Sequence, residues 1–339
     1  MTSLIQIAAG ALCVAAVFVD AFLTTITVSS GAGPLTEKVL AWAWALLLRL
    51  HREDKRSSIL TAGGTLVLTV TVLVWVAILW AGWGLVFLGS GSIVDSTTQL
   101  PASVGDVFYY AGFTVFTLGT GDYVAGSSGW RLATAAASFS GLFLVTLAIT
   151  YLISVVSAVV QRRALAIQIR GLGRTPDDVV LQAWQGDRFS SMFEQQLVSL
   201  TGAVATSAEQ HLAYPVLHYF HARSPFLSAP LAVASLNDVL LLASEGVAPE
   251  GRPDPNAVRP LAYAITRYVD ASSDIGSLPS SPEPPAPERS RLAAADVPLT
   301  DGEHWRRALK EQHEQRVHLH RLVNSDGWSW SPGLEERTG

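Results

Sequence analysis

The chain has one cysteine and little charge. Cys13 has no partner of its own kind, which excludes an intramolecular disulfide scaffold. Charged residues make up 15% of the 339 positions and hydrophobic ones 49%, where soluble domains carry about 25% charge. A disordered chain needs low hydrophobicity and high net charge, so that class is excluded too. A net charge of −5 argues against a dedicated nucleic-acid binder. The shortage of charge is uneven: residues 1–160 hold six of the 23 basic and seven of the 28 acidic side chains. The first half suits lipid and the second suits water.

Crossing a hydrocarbon core of ~30 Å takes roughly 20 apolar residues in a helix. Residues 1–34 carry a single charge, Asp20, while 57–94 and 132–161 carry none. These are three predicted spans. The N-terminal run has no Lys or Arg ahead of it and is too long for a signal-peptide core, so it is read as a mature helix. Asp20 within it is a functional candidate, or a side chain that reaches a neighbouring helix or the interface. A shorter apolar stretch, 39–48, contains Trp42 and Trp44 and precedes Arg49, His51, Arg52, Lys55 and Arg56. It is expected to make a short span or to lie at the interface, with the basic cluster favouring the span.

Basic residues also follow the third long run, at Arg162, Arg163, Arg170 and Arg174, whereas the 95–130 connection holds Asp95, Asp106 and Asp122 with no base before Arg131. The basic flanks predict cytoplasmic ends and place the connection outside, where its carboxylates would attract cations.

After Pro101 this connection turns apolar again, in DVFYYAGFTVFTL. Ser103 and Asp106 fit a capping box, predicting a helix over about 105–117. At ~1.5 Å per residue that is roughly 20 Å, too short to cross, so it must enter and return. It hands over to Thr117-Leu118-Gly119-Thr120-Gly121-Asp122, whose alternate glycines permit backbone that other residues resist. Non-helical backbone at membrane depth persists only where protein buries it or it lines a wet cavity.

The arrangement of span, re-entrant helix, glycine-containing strand and span over about 58–161 resembles the pore module of the potassium channel family. That family's filter reads Thr-Val-Gly-Tyr-Gly-Asp, and 117–122 stand in its place. Tyr109 and Tyr110 occupy the position of an aromatic pair on the pore helix, with Phe113 a further support, and Gly141 falls where members often have a hinge glycine. The resemblance implies a backbone-carbonyl selectivity filter at Thr117, Leu118, Gly119 and Thr120, with Gly121 and Asp122 finishing the strand at the outer mouth. It also implies four subunits, since one strand cannot surround an ion. The expected ligand is a permeant monovalent cation, potassium before sodium, held by carbonyls and not by a side-chain metal site. No cofactor is expected.

Thr120 departs from the family's tyrosine, which leaves a potassium/sodium-permeable channel as the alternative. A non-conducting membrane-anchored sensor or scaffold is a reading from another class. Gly141 serves either a gating hinge or close helix packing. The early helices have no run of arginines at every third position, so voltage sensing of that kind is not expected.

The fold expected is an all-α membrane protein, a pore-loop cation channel of the cell membrane with a helical cytoplasmic domain. Its expected divisions are an N-terminal membrane region (1–56), a pore module (57–161: outer helix 58–88, pore helix 105–117, filter 117–122, inner helix 131–161), a helical domain (162–270), a flexible Pro/Ser-rich linker (271–289) and a C-terminal helix and tail (290–339). Thr175-Pro176-Asp177-Asp178 reads as a helix start. His211, His218 and His221 read as core histidines before a metal or proton sensor, with His218 and His221 sharing a helical face if Pro215 does not interrupt. His313, His318 and His320 read as a solvated face of a loosely docked helix over 301–323. Gly171-Leu172-Gly173 lacks the strand and third glycine of a dinucleotide loop. No catalytic constellation stands out, so an enzyme is not expected. The partners expected are the bilayer and further copies of the chain, with no nucleic acid.

Overall fold

The computed structural model describes residues 2–27, 32–50, 58–222, 224–273 and 284–330. They form helices almost throughout. Contacts divide the chain into two compact units, Met1–Glu53 with Ala62–Val156 and Asp54–Thr61 with Ser157–Gly339.

The first unit contains α1 (Thr2–Thr25), α2 (Pro34–Leu50), α3 (Ser58–Ser90), β1 (Ile93–Asp95), α4 (Val104–Val115), β2 (Tyr123–Ala125) and most of α5 (Ser128–Arg170). Among the described residues three helices are long and apolar enough to cross a membrane, over Ser3–Thr25, Gly63–Ser90 and Ser128–Arg170. Helices α1 and α3 pack antiparallel through small residues. A Cβ on Gly10 would lie 2.4 Å from the Gly82 carbonyl oxygen, and one on Gly89 would lie 2.6 Å from that of Ser3. Dispersion and close backbone approach hold such pairs where no hydrophobic effect operates.

Near the other end of this pair Asp20 is buried and functions as an interhelical staple. Its carboxylate accepts from the Leu35 amide at 2.7 Å, the Thr36 amide at 3.2 Å, the Thr36 hydroxyl at 2.5 Å and Trp75 Nε1 at 2.9 Å. Two of these donors are amides of the first turn of α2, which has no partner within its own helix for them. Because α1 and α3 run antiparallel, the connection containing α2 leaves and returns at the same end of the pair. The basic cluster at 51–56 lies outside the described residues, as does the Arg49 side chain.

The second unit packs α6 (Pro176–Ala183), α7 (Ser191–Ala213), α8 (Ala229–Leu241), α9 (Pro255–Ser273), α10 (Ser290–Ala294), α11 (Gly302–Glu311) and α12 (His313–Ser325) around one core, with the last turns of α5 contributing Leu165, Ala166 and Ile169. Thr175 caps α6, with Pro176 at its first position. Tyr214 ends α7 and Pro215–Tyr219 is a 3-10 turn, so Pro215 does interrupt the proposed histidine face.

The C-terminal region differs from expectation. Instead of one loosely docked helix there are two, broken at Gln312, and α12 inserts Leu319, Leu322 and Val323 into the core. Arg316 is buried there and donates to Asp238 Oδ1 at 2.9 Å. His320 is buried as well, against the expectation of a solvated face. The charged appearance of this sequence hid an apolar stripe and a buried ion pair. Within the expected linker, α9 continues to Ser273, and the Pro285 carbonyl accepts from Arg316 at 2.5 Å. Residues 274–283 lie outside the described residues.

Candidate functional site

Helix α4 starts where the sequence signals a start. Ser103 is its N-cap and the capping box closes: the Ser103 amide donates to Asp106 Oδ2 at 3.1 Å and the Asp106 amide to Ser103 Oγ at 3.4 Å. Twelve residues give about 18 Å, short of a bilayer crossing. Although short, α4 buries Tyr110, Phe113 and everything else from Tyr110 to Val115. On the α3 side, Trp80 Nε1 donates to the Phe108 carbonyl at 2.8 Å, and a Cβ on Gly84 would lie 2.5 Å from the Phe108 ring. On the α5 side the Tyr110 hydroxyl bonds that of Thr134, and Gly141 faces the Val115 carbonyl, 2.0 Å from an ideal Cβ.

The helix stops at Phe116. The Thr117 amide turns back to the Thr114 carbonyl at 3.1 Å and that of Leu118 to Phe113 at 2.8 Å. The backbone then alternates. Thr117, Gly119 and Gly121 have φ of 58°, 62° and 81°, while Leu118 and Thr120 are not in the left-handed region. Only glycine adopts such angles freely, which explains two of the three positions; Thr117 adopts one despite its β-branch. Every residue from Phe116 to Asp122 is exposed within the single chain, Leu118 by 70%.

The strand is tied at its far end. The Ser96 amide donates to the Asp122 carbonyl at 2.8 Å, and β2 pairs antiparallel with β1, Asp95 opposite Tyr123. The Tyr109 hydroxyl donates to Asp122 Oδ2 at 3.2 Å and meets the Thr120 hydroxyl at 3.4 Å. Rings continue the support: Tyr109 and Phe113 have centroids 5.3 Å apart, Tyr110 and Phe113 5.2 Å, and Phe87 and Tyr110 5.0 Å. Beside this strand the amides of Thr97 and Thr98 and the Thr98 hydroxyl hold the Asp95 carboxyl below its usual range, led by Thr98.

All the residues singled out for the pore therefore lie in one place: Thr117, Leu118, Gly119, Thr120, Gly121 and Asp122 along the strand, Tyr109, Tyr110 and Phe113 behind it, and Gly141 against the base of α4. The sequence reading missed Tyr123, which bonds the Asp106 carboxylate of the capping box, and Trp80 and Trp83, whose indoles reach Phe108 and, at 2.9 Å, Ser140. Two tryptophans spaced three apart in an uncharged span were the available signal.

Of the three histidines singled out near Pro215, His211 is a core group and His218 and His221 are half-buried. His211 is buried with neither ring nitrogen partnered among the described residues. Burial first, then the Arg162 guanidinium and His218, holds its pKa down to about 3. Burial with His221 and Arg162 holds that of His218 down to about 4.

A short capped helix, a glycine-alternating strand and two flanking long helices define an ion-channel pore module, and the family model described as "Ion channel" matches residues 71–158, from within α3 to within α5. The protein is an all-α, multi-pass membrane channel. Over 334 residues it is 30% identical to the uncharacterized membrane protein YdjJ of Bacillus subtilis (strain 168), covering 98% of this chain and 97% of the relative. The chain belongs to the family of that protein. No solved structure matches it.

Proposed function

We propose that four copies of this chain surround a conduction axis and pass potassium through a filter built from residues 117–122. The observation that carries this reading is the alternation of left-handed residues at Thr117, Gly119 and Gly121 along a strand exposed from Phe116 to Asp122. In an extended strand successive carbonyls point to opposite sides. Alternating left- and right-handed residues turn them to one side, which is what replacing an ion's hydration shell requires. The exposure is accounted for if neighbouring copies complete the site, because unpaired backbone at membrane depth is otherwise costly. The C-terminal end of α4, with its partial negative charge, would favour a cation below the strand. Helix α2 lies along the cytoplasmic face in this arrangement, since its connection leaves and returns at one end of the α1–α3 pair.

A potassium/sodium-permeable pore is the second reading. It is favoured by Thr120, which lacks an aromatic ring to pack behind the strand and whose hydroxyl meets that of Tyr109 at 3.4 Å. Purified protein in liposomes tests the function. Cation flux in wild type, lost in Gly121→Ala, and cross-linking that saturates at four subunits are expected. Absence of flux, or flux untouched by the substitution, would refute the channel formed by this strand.

A further inference from the structure

The second unit contains a cavity of ≈ 460 Å³ at the C-terminal end of α5, with Arg170 and Arg174 among the residues that line it. Its size is that of a small-molecule site. Three carboxylates also line it, and each is engaged: Asp177 Oδ2 is held by Arg291 at 2.5 Å, Asp238 by Arg316 at 2.9 Å, and Glu288 accepts from Ser290 at 2.9 Å. The two arginines have no such partner. Among the described residues neither forms an ion pair with a carboxylate. Arg170 Nη1 donates to the Arg174 carbonyl at 3.2 Å, and its Nε is buried without a partner. Burial lowers the Arg170 pKa, the sign of a cation that has lost water without gaining an anion.

A guanidinium in that state is satisfied by a carboxylate or phosphate, whose oxygens match its fork. Leu231, Pro285, Pro287 and Trp330 also line the cavity, and the Arg316 guanidinium covers one side of the Trp330 ring at 5.6 Å. One cavity thus brings two arginines without a carboxylate partner together with apolar and aromatic surface.

We propose that this cavity binds a small ring-bearing organic anion, its phosphate or carboxylate on Arg170 and Arg174 and its ring against Trp330 and the prolines. Arg170 is the last residue of α5, the same continuous helix that carries Gly141. An occupied site would therefore fix the end of the helix that lines the pore. That regulatory consequence rests on the channel reading, whereas binding itself does not.

Calorimetry on the purified full-length protein tests the site with AMP and GMP as ring-bearing phosphates, indole-3-acetate as a ring-bearing carboxylate, and inorganic phosphate as the ring-free control. Saturable binding of at least one ring-bearing anion is expected, weakened about tenfold or more by Arg174→Gln and by Trp330→Leu, with inorganic phosphate weaker than the ring-bearing phosphates. Arg174 is exposed, so its replacement leaves the core intact. No saturable binding at millimolar ligand, or binding unchanged in both variants, would overturn the proposal. So would binding that appears only when residues 331–339, with Glu335 and Glu336, are removed, because the tail would then be the occupant. Liposome flux separates the two claims: binding without flux sinks the channel and spares the site, and flux without binding does the reverse.

Discussion

The Val115 carbonyl oxygen lies 2.0 Å from where a Cβ on Gly141 would stand. The end of α4 therefore rests on α5 at a distance that only glycine permits. Helix α5 runs unbroken from Ser128 to Arg170, and the close approach gives this glycine a packing role. Gly141→Ala is expected to force the two helices apart at a cost of about 1–3 kcal/mol. It should lower the thermal midpoint of the purified protein and reduce flux. Gly129→Ala, whose Cβ would meet nothing within 4 Å, is the comparison that should leave both nearly unchanged.

Tyr109 is the polar brace behind the strand. Tyr109→Phe keeps the ring against Phe113 but removes the hydroxyl that reaches Asp122 and Thr120, a loss of about 0.5–1.5 kcal/mol. Folding should be retained while the potassium-to-sodium permeability ratio falls. An unchanged ratio would mean that the strand is held by other contacts.

Asp20 collects four donors from α2 and α3 in a buried position. Asp20→Ala would orphan them all, and each buried unsatisfied group costs about 1–3 kcal/mol. A sharp loss of folded protein is expected, measured as monodisperse yield and thermal midpoint. Asp20→Asn retains one acceptor oxygen and should recover part of the loss.

Two histidines give the second unit an acid sensitivity of defined sign. His211 and His218 have folded pKa values of about 3 and about 4, below the ordinary 6.5. Between pH 6.5 and those values the unfolded chain binds more protons, so stability falls as pH falls through that window and is complete above it. Arg162, His221, Asp326 and Tyr268 surround the pair, and Asp238, whose carboxyl burial pushes up, works in the opposite direction. Hydrogen-exchange protection factors in α7, corrected for the intrinsic pH dependence of exchange, should fall between pH 6.5 and pH 4 in wild type. His218→Gln should flatten that dependence, and an identical profile would rule out this origin.

The pore module was legible because its signals are local. Uncharged runs set the long helices, Ser103 and Asp106 set the start of α4, and the glycines at 119 and 121 mark the backbone that turns left-handed. Thr117 in the same region was not foreseeable, since nothing in a threonine announces positive φ. The second unit was harder to read. Its C-terminal helices look solvated because Arg316, His318 and His320 crowd one segment, and only tertiary pairing with Asp238 on α8, 78 residues away, lets Arg316 be buried. Asp20 illustrates the same limit: its partners lie 15 to 55 residues on, in segments whose packing no periodicity reveals.

The central claim is that residues 117–122 form a potassium-conducting path, and the reversal potential measures it most directly. With purified protein in a planar bilayer and potassium chloride facing sodium chloride at equal concentration, the current should reverse far from zero, at the voltage that opposes potassium leaving its own side, and Gly119→Ala should abolish it. A reversal at zero would leave a channel that does not distinguish the two cations and would contradict the selectivity; no current, or current indifferent to Gly119→Ala, would contradict the path itself.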